Sequence, residues 1–169
     1  MTIESMRPED LADVAAINAD NIGDVDPISV DQLAEVLESC RVALVAKVPN
    51  VGVVGFGIVV DSSCQYQSER TAWALAAGEH DLHLDRVAFD MNYSGLGLGL
   101  ALYNELDDRI FNISRDAGTG SITLTSMVQI DPPNQHSIHF HEARSFETID
   151  SAVFGGATIA LTCKTYADA

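Results

Sequence analysis

The sequence predicts a mixed α/β domain in which helices pack on a central sheet. Three observations support this fold class. Some segments repeat apolar residues with a helical period, runs of β-branched residues have the length of strands, and Gly, Pro and Asn separate the two kinds of segment. The elements are expected in the order β-α-α-β-β-β-α-β-α-β-β. Because there is no internal repeat or linker, residues 1–169 are expected to form a single domain.

The chain should begin with a short strand and two helices. Residues 2–6 alternate weakly and predict the strand. Pro8 suits the first position of a helix, where an amide hydrogen would be unpaired anyway, and an apolar stripe follows in "PEDLADVAAINAD". Ser29 and Gln32 have the spacing of a capping box, which predicts a second helix over "VDQLAEVLESC".

A hairpin and a loop are expected next. "RVALVAKV" and "VGVVGFGIVV" are rich in β-branched residues and are joined by "PN", which predicts two antiparallel strands. Gly52, Gly55 and Gly57 in the second strand predict a bulge or a close approach of the backbone to another segment. Residues 61–79 are expected to be a loop with room for one short helix.

The rest of the chain alternates strands and helices. "HDLHLDRVAF" predicts a strand, residues 96–116 a long helix, and "SITLTSMVQI" another strand. "DPPN" is a turn pattern that precedes a short helix over "QHSIHFHEAR". The final segment predicts a second hairpin that turns at Gly155 and Gly156.

The charge of the chain is strongly negative. Nine basic residues stand against 25 acidic ones, for a net charge of −16. A protein that binds nucleic acid needs a basic footprint, so we expect no nucleic-acid partner. The acidity is interpreted as a solubilising surface, with a high-salt cytoplasm as the alternative. A polyanionic ligand would have to bind through local donors, against the global field.

The sequence predicts the location of the protein and the state of its cysteines. No apolar run approaches the roughly 18 residues that cross a bilayer, and "MTIESMRPEDLADV" lacks the pattern of a signal peptide. We therefore expect a cytoplasmic protein without a membrane partner. Cys40, Cys64 and Cys163 are too widely spaced for a disulfide framework or a zinc knuckle, so free thiols are expected.

The segment "SGLGLG", residues 94–99, places three glycines where a helix begins. Each glycine costs about 1 kcal/mol relative to alanine inside a helix. At a helix start, however, glycines allow an anion to approach main-chain amides that have no partner within the helix. The alternative is close packing of the helix on a strand. The spacing does not match the dinucleotide-binding G-x-G-x-x-G, and no P-loop Gly-Lys-Ser/Thr follows.

Two motifs together resemble the GNAT acetyltransferase superfamily. "SGLGLG" is similar to that family's Arg/Gln-x-x-Gly-x-Gly/Ala turn, and "DPPNQHSIHFHEARSF" is similar to its later helical segment. "DPPN" with "SxxFH" further resembles a bacterial subgroup of predicted GNAT proteins. The resemblance implies a mixed sheet of six to seven strands, with the fourth and fifth splayed apart, and about four flanking helices.

The chain departs from the family pattern at three positions. Ser94 replaces the usual Arg or Gln, Ser145 replaces the Gly before the final Phe, and His141 occupies a position most often held by Tyr. The change at position 94 removes a charged contact to the coenzyme but leaves the main-chain amides of the turn in place.

The resemblance implies a site for acetyl-coenzyme A in the opening between the splayed strands. The expected ligands are main-chain groups of the fourth strand, the amides of the glycine turn and one asparagine: Val87, Ala88, Phe89, Ser94, Gly95, Leu96, Gly97, Leu98, Gly99, Leu100 and Asn134. It also implies direct transfer of acetyl to an amine of a small molecule or a protein N-terminus. The alternative is a domain that binds or senses an acyl-coenzyme A without turnover.

Two residues are candidates for proton transfer. Asp81, His83 and Asp85 alternate on one face of the strand that leads into the implied site, and Asp85 is the candidate base. The alternative is a structural ion pair with Arg86. His141 is the candidate proton donor to the thiolate, because imidazole titrates near neutrality, and capping or packing is the alternative.

Three further expectations concern metals, aromatic residues and assembly. His136, His139 and His141 do not share one helix face and lack an H-E-x-x-H pattern, so no metal site is expected. Tyr66 and Trp73 either line the acceptor pocket or pack in the core. The closing hairpin offers a surface for a homodimer.

Overall fold

The structure, a computed structural model, describes residues 1–77, 80–118 and 120–167. Residues 78 and 79, at the end of the predicted loop, lie outside these ranges. In the described residues the chain forms seven strands and five α-helices. The strands are β1 Thr2–Ser5, β2 Val42–Val48, β3 Gly52–Val60, β4 Leu82–Phe89, β5 Ser121–Asp131, β6 Glu147–Phe154 and β7 Ala157–Ala167. The helices are α1 Leu11–Asp20, α2 Val30–Ser39, α3 Glu69–Ala76, α4 Leu98–Ala117 and α5 Gln135–Ala143.

The predicted elements are present in the predicted order, with one difference. A 3-10 turn occupies Pro8–Asp10 and α1 begins one turn late, because the Asp10 carboxylate accepts the Arg7 amide at 2.9 Å and closes a tighter turn first. The short helix for which residues 61–79 had room is α3, and the Ser68 side chain starts it by accepting the Thr71 amide at 3.2 Å.

The predicted capping box at the start of α2 is confirmed. The Gln32 amide donates to Ser29 Oγ at 3.2 Å, and the Ser29 amide donates to the Gln32 side-chain oxygen at 2.9 Å. These bonds satisfy two main-chain donors that a helix start leaves without a partner.

One mixed sheet runs in the order β1-β2-β3-β4-β5-β7-β6. The β4–β5 pair is parallel and the other neighbouring pairs are antiparallel. Pairing of β4 with β5 extends only from Leu82–Leu124 to Leu84–Ser126, and beyond it the two strands separate. This is the splay that the family resemblance implies.

The point of separation coincides with a bulge in β4. Ile58 is opposite Arg86 and Val59 is opposite Leu84, so Asp85 is the extra residue on the β4 side. A bulge bends its strand and increases the local twist. Because β4 bends directly after its last pair with β5, the two strands leave an opening between them.

The core has apolar clusters on both faces of the sheet. Helix α4 covers one face with residues spaced four apart, Leu102, Leu106 and Ile110, which pack against β2, β4, β5 and β7. Helices α1 and α2 cover the other face. The close approach predicted for the β3 glycines is confirmed at Gly55, where an added Cβ would lie 2.3 Å from the Phe89 ring. Within the described part of the chain, no helix is long and apolar enough to span a membrane.

Candidate active site

The separation of β4 from β5 opens a cleft of about 680 Å³. This volume is within the range of about 300–1,000 Å³ found for small-molecule sites. All of the residues predicted for the site line it except Leu96, whose side chain is exposed. The cleft runs from the glycine turn, residues 94–100, to the segment between α1 and α2.

The main chain of β4 forms one wall of the cleft. The Asp90 amide donates to the Val54 carbonyl of β3 at 2.9 Å. The N–H and C=O groups of successive residues alternate sides along a strand. Those of Val87 and Phe89 therefore point toward the cleft, and those of Ala88 point toward β3. Ala88 therefore lines the cleft without offering its main chain to a ligand. The Asn21 side chain donates to the Phe89 carbonyl at 3.1 Å, so the Phe89 amide is the group of that residue left for a ligand.

The glycine turn presents main-chain amides to the other end of the cleft. Gly95 and Gly97 adopt φ values of +78° and +73°, in the left-handed region that favours glycine, and an added Cβ on either would meet nothing within 4 Å. The first main-chain bond of α4 runs from the Ala101 amide to the Gly97 carbonyl at 3.0 Å. Among the described residues, the amides from Gly95 to Leu100 have no acceptor. The turn is thus open and carries the positive end of the α4 dipole.

Asn134 begins α5 on the opposite side of the cleft. Its side-chain oxygen accepts the Ser137 amide at 3.1 Å, which caps the helix, and its Nδ2 lies 3.4 Å from the Asp24 carboxylate. The capping bond uses only one lone pair, so the amide can still interact with a ligand.

Asp85 forms the ion pair that sequence reasoning left as the alternative to a catalytic base. Its Oδ2 accepts from Arg86 Nε at 2.6 Å, and its Oδ1 accepts from the Thr71 hydroxyl. The two charged side chains are nearly buried, at 5% and 2% exposure. Any proton transfer by Asp85 must therefore occur alongside these two hydrogen bonds.

His141 belongs to the cleft wall and is buried in a network of hydroxyl groups. Its Nδ1 lies 2.8 Å from the Ser137 carbonyl, so Nδ1 carries the proton of the neutral ring. Its Nε2 then accepts from the Tyr103 hydroxyl at 3.0 Å or the Ser126 hydroxyl at 3.1 Å. Burial lowers the pKa of His141, the bond to Ser137 acts in the opposite direction, and the nearby Arg144 adds to the lowering.

Several other predicted side chains lie outside the cleft. Trp73 packs edge-on against Phe154 at 5.4 Å between ring centroids, and Tyr66 packs against the α1–α2 cluster. Both residues therefore have a packing role and do not line the pocket.

His136 lines the cleft and His139 does not. No group of three metal-ligating side chains occurs among the described residues.

Sequence reasoning missed several residues that the fold brings to the cleft, among them Asn21, Arg70 and Tyr103. Tyr103 follows Gly99 by four residues, so its position on the face of α4 that begins at the glycine turn was a usable signal. Asn21 and Arg70 lie in segments without a motif, and only the tertiary structure places them here.

The comparisons with known proteins agree with this geometry. A sequence model described as "Acetyltransferase (GNAT) family" matches residues 18–146. No curated protein matches the chain.

Solved structures with a similar fold cover nearly all of the chain. The ribosomal-protein-S18-alanine N-acetyltransferase of Escherichia coli has a TM-score of 0.72 at 19% identity, over 99% of this chain and 95% of that one. The ribosomal-protein-alanine N-acetyltransferase of Brucella melitensis has a TM-score of 0.69 at 21% identity, over 97% and 99%. Arabidopsis thaliana NAA60, in complex with acetyl-CoA, has a TM-score of 0.69 at 16% identity, over 97% of each chain.

Proposed function

The chain belongs to the GNAT acetyltransferase family, and on that premise we propose that it transfers an acetyl group from acetyl-coenzyme A to an amine. The observation that carries this proposal is the continuous cleft between β4 and β5, which ends at the unpaired amides of the glycine turn. A diphosphate fits those amides, and an extended pantetheine arm fits the free edge of β4. The "DPPN" and "SxxFH" motifs support the bacterial subgroup as a finer part of the proposal.

The chemical groups that line the cleft suit the binding of acetyl-coenzyme A. Gly95 to Leu100 would hold the diphosphate through main-chain donors, which do not depend on the net charge of −16. The main chains of Val87 and Phe89 would pair with the amide groups of the pantetheine arm, and Asn134 would contact the arm from the opposite wall. The coenzyme supplies the thioester that carries the acetyl group.

The transfer is a direct displacement. The neutral amine nitrogen forms a bond to the acetyl carbonyl carbon, the C–S bond breaks, and sulfur leaves with the electron pair as a thiolate. The Val87 amide, which faces the cleft farther from the glycine turn than Phe89, would stabilise the oxyanion that develops, and holding both reactants in one cleft supplies much of the acceleration. The amine loses a proton and the thiolate gains one, so the products are an amide and a thiol.

We assign the proton transfers to two groups of residues. Asp85 would accept the amine proton through water, because both of its oxygens already have partners. The network of Tyr103, Ser126 and His141 would supply the proton to sulfur, with His141 fixing the orientation of the hydroxyls. Cytoplasmic location, a single domain and a homodimer formed through the closing hairpin remain further parts of the proposal.

The first experiment is titration calorimetry with acetyl-coenzyme A. We expect a dissociation constant between about 1 μM and 1 mM, the usual range for enzyme substrates. Binding weaker than millimolar would remove both the transferase proposal and any related binding function.

The second experiment measures thiol release from acetyl-coenzyme A over a panel of amines. A transferase produces free thiol in an acceptor-dependent way. A domain that only binds or senses acyl-coenzyme A would show ligand-dependent thermal stabilisation without thiol release. The engagement of Asp85 in an ion pair is the observation that favours this second function.

A further inference from the structure

The end of the cleft opposite the glycine turn contains two guanidinium groups that the transfer step does not use. Arg70 and Arg86 both line the cleft and both contact Asp26. Arg86 Nη1 donates to the Asp26 carbonyl at 3.3 Å, and Arg70 Nε lies 3.5 Å from the Asp26 carboxylate. The two arginines, called here the arginine pair, therefore converge on one residue of the segment between α1 and α2.

Arg86 is buried and fixed in place. It is 3% exposed, its Nε donates to Asp85 at 2.6 Å, and its Nη1 donates to the Asn18 side-chain oxygen at 3.1 Å. Asn18 is itself 1% exposed and donates to the Asp26 carbonyl at 3.0 Å, which locks the segment to the arginine. The hydrogen bonds of Arg86 to the described residues come from Nε and Nη1, so Nη2 is left for a ligand that accepts a hydrogen bond.

Arg70 has more unused hydrogen-bond donors than Arg86. Its Nε is the atom that faces Asp26, and in the described part of the chain neither Nη1 nor Nη2 has an acceptor. Its guanidinium lies 5.8 Å from the centre of the Phe154 ring, which limits where the group can move. The two outer nitrogens form a planar fork that matches a carboxylate in geometry.

The hydrogen-bond donors left unused at this end, rather than its net charge, favour a carboxylate ligand. Asp26 and Asp85 line the cleft but are each already paired with a guanidinium. Asp24 is the third carboxylate on the described lining, and it is exposed and faces Asn134. This end of the cleft therefore offers unused hydrogen-bond donors rather than free carboxylates.

We propose that the acetyl acceptor is a small amino acid whose carboxylate is bound by the arginine pair. This inference rests on the proposed function. An α-amino group is separated from its carboxylate by a single carbon, so binding the carboxylate at Arg70 and Arg86 positions the amine directly beside the free edge of β4. The C–N bond forms and the C–S bond breaks as described above, and the carboxylate takes no part in the chemistry.

The test compares free amino acids with their carboxamides in the thiol-release assay. The panel is the twenty standard L-amino acids, each as the acid and as the matched amide, with a polyamine and a short peptide added. We expect at least one acid to exceed its amide about tenfold or more in kcat/KM, because the amide leaves the guanidinium donors poorly matched. Arg70→Met should remove that preference, and Arg70→Lys should restore it only in part, since lysine keeps the charge without the fork.

Arg109→Met is the matched control, because Arg109 is an ion-paired arginine on the outer face of α4. It should keep the preference for the acid. The inference is overturned if no acid exceeds its amide, if the peptide or the polyamine is the better acceptor, or if Arg70→Met keeps the preference. Calorimetry with acetyl-coenzyme A is run on the same preparations, so a failure of coenzyme binding, which would remove the proposed function, is distinguished from a wrong acceptor class.

Discussion

The two ends of the cleft are built from different parts of the chain. At the glycine turn, the groups that face the cleft are main-chain amides, held open by Gly95 and Gly97 in left-handed conformations. At the arginine pair, the groups are side chains fixed by ion pairs, with Asp85 and Arg86 nearly buried. One end should therefore respond to added side-chain atoms, and the other should respond to lost side-chain charges. Four predictions test this contrast, and they follow from the largest expected effect to the smallest.

Asp85→Asn should have the largest effect on stability. It leaves the Arg86 guanidinium buried without a counter-charge, and breaking a buried pair in this way costs about 3–5 kcal/mol. Urea unfolding at pH 7 measures the change in the free energy of unfolding. Glu105→Gln is the control, because it breaks the more exposed Arg109–Glu105 pair and should cost about 0.5 kcal/mol or less. Equal losses in the two variants would show that the buried pair does not stabilise this end of the cleft.

Gly97→Glu should weaken acetyl-coenzyme A binding about a hundredfold or more, because a carboxylate would occupy the place of the diphosphate and repel it. Gly118→Glu is the matched control, since Gly118 ends the same helix with φ +64° and also has nothing within 4 Å of an added Cβ. Both variants place a side chain in the left-handed region, which costs about 1–2 kcal/mol. Titration calorimetry should show loss of binding at position 97 alone. Unchanged affinity in Gly97→Glu would contradict the assignment of the diphosphate to the glycine turn.

His83 should make the stability of the folded protein sensitive to acid. Burial lowers the pKa of His83 to about 4, and the Asp85 charge only partly opposes this. Between the usual value of 6.5 and about 4, the unfolded chain binds a proton that the folded chain does not, so the free energy of unfolding falls as the pH falls through this window. The expected loss is about 2 kcal/mol between pH 7 and pH 4.5.

Urea unfolding as a function of pH measures this dependence. His83→Gln should flatten the slope, because it removes the titrating ring. The interpretation is wrong if His83→Gln has the same slope as the unaltered protein.

Salt should have the smallest effect on acetyl-coenzyme A affinity. Whether salt tightens or weakens binding distinguishes the net charge of the protein from cationic side chains near the phosphates. The net charge of −16 repels an anionic coenzyme, and added salt screens that repulsion. Raising NaCl from about 20 mM to about 500 mM should therefore tighten acetyl-coenzyme A binding by roughly threefold. Calorimetry at several salt concentrations measures the trend. Weaker binding at high salt would indicate that cationic side chains, rather than main-chain amides, hold the phosphates.

The glycine end could be predicted from the sequence and the arginine end could not. Gly95, Gly97 and Asn134 belong to short contiguous motifs, and what such motifs specify is local geometry of the main chain. Arg70 and Asp26 have no motif, and they meet because the α1–α2 segment and α3 both pack beside β4. The pairing of Asp85 with Arg86 was visible as an alternative because the two residues are adjacent. Its burial, which makes the pair important for stability, depends on distant elements.

The sequence by itself determined the order of strands and helices, the capping box of α2, the hairpins and the open glycine turn. Each of these depends on interactions within a few residues along the chain, where propensity and period are informative. The tertiary structure decided where β4 leaves β5, which side chains line the cleft and which carboxylates are already paired with arginines. These features depend on a bulge at Asp85 and on contacts between segments far apart in sequence, and such contacts form only when the whole sheet assembles.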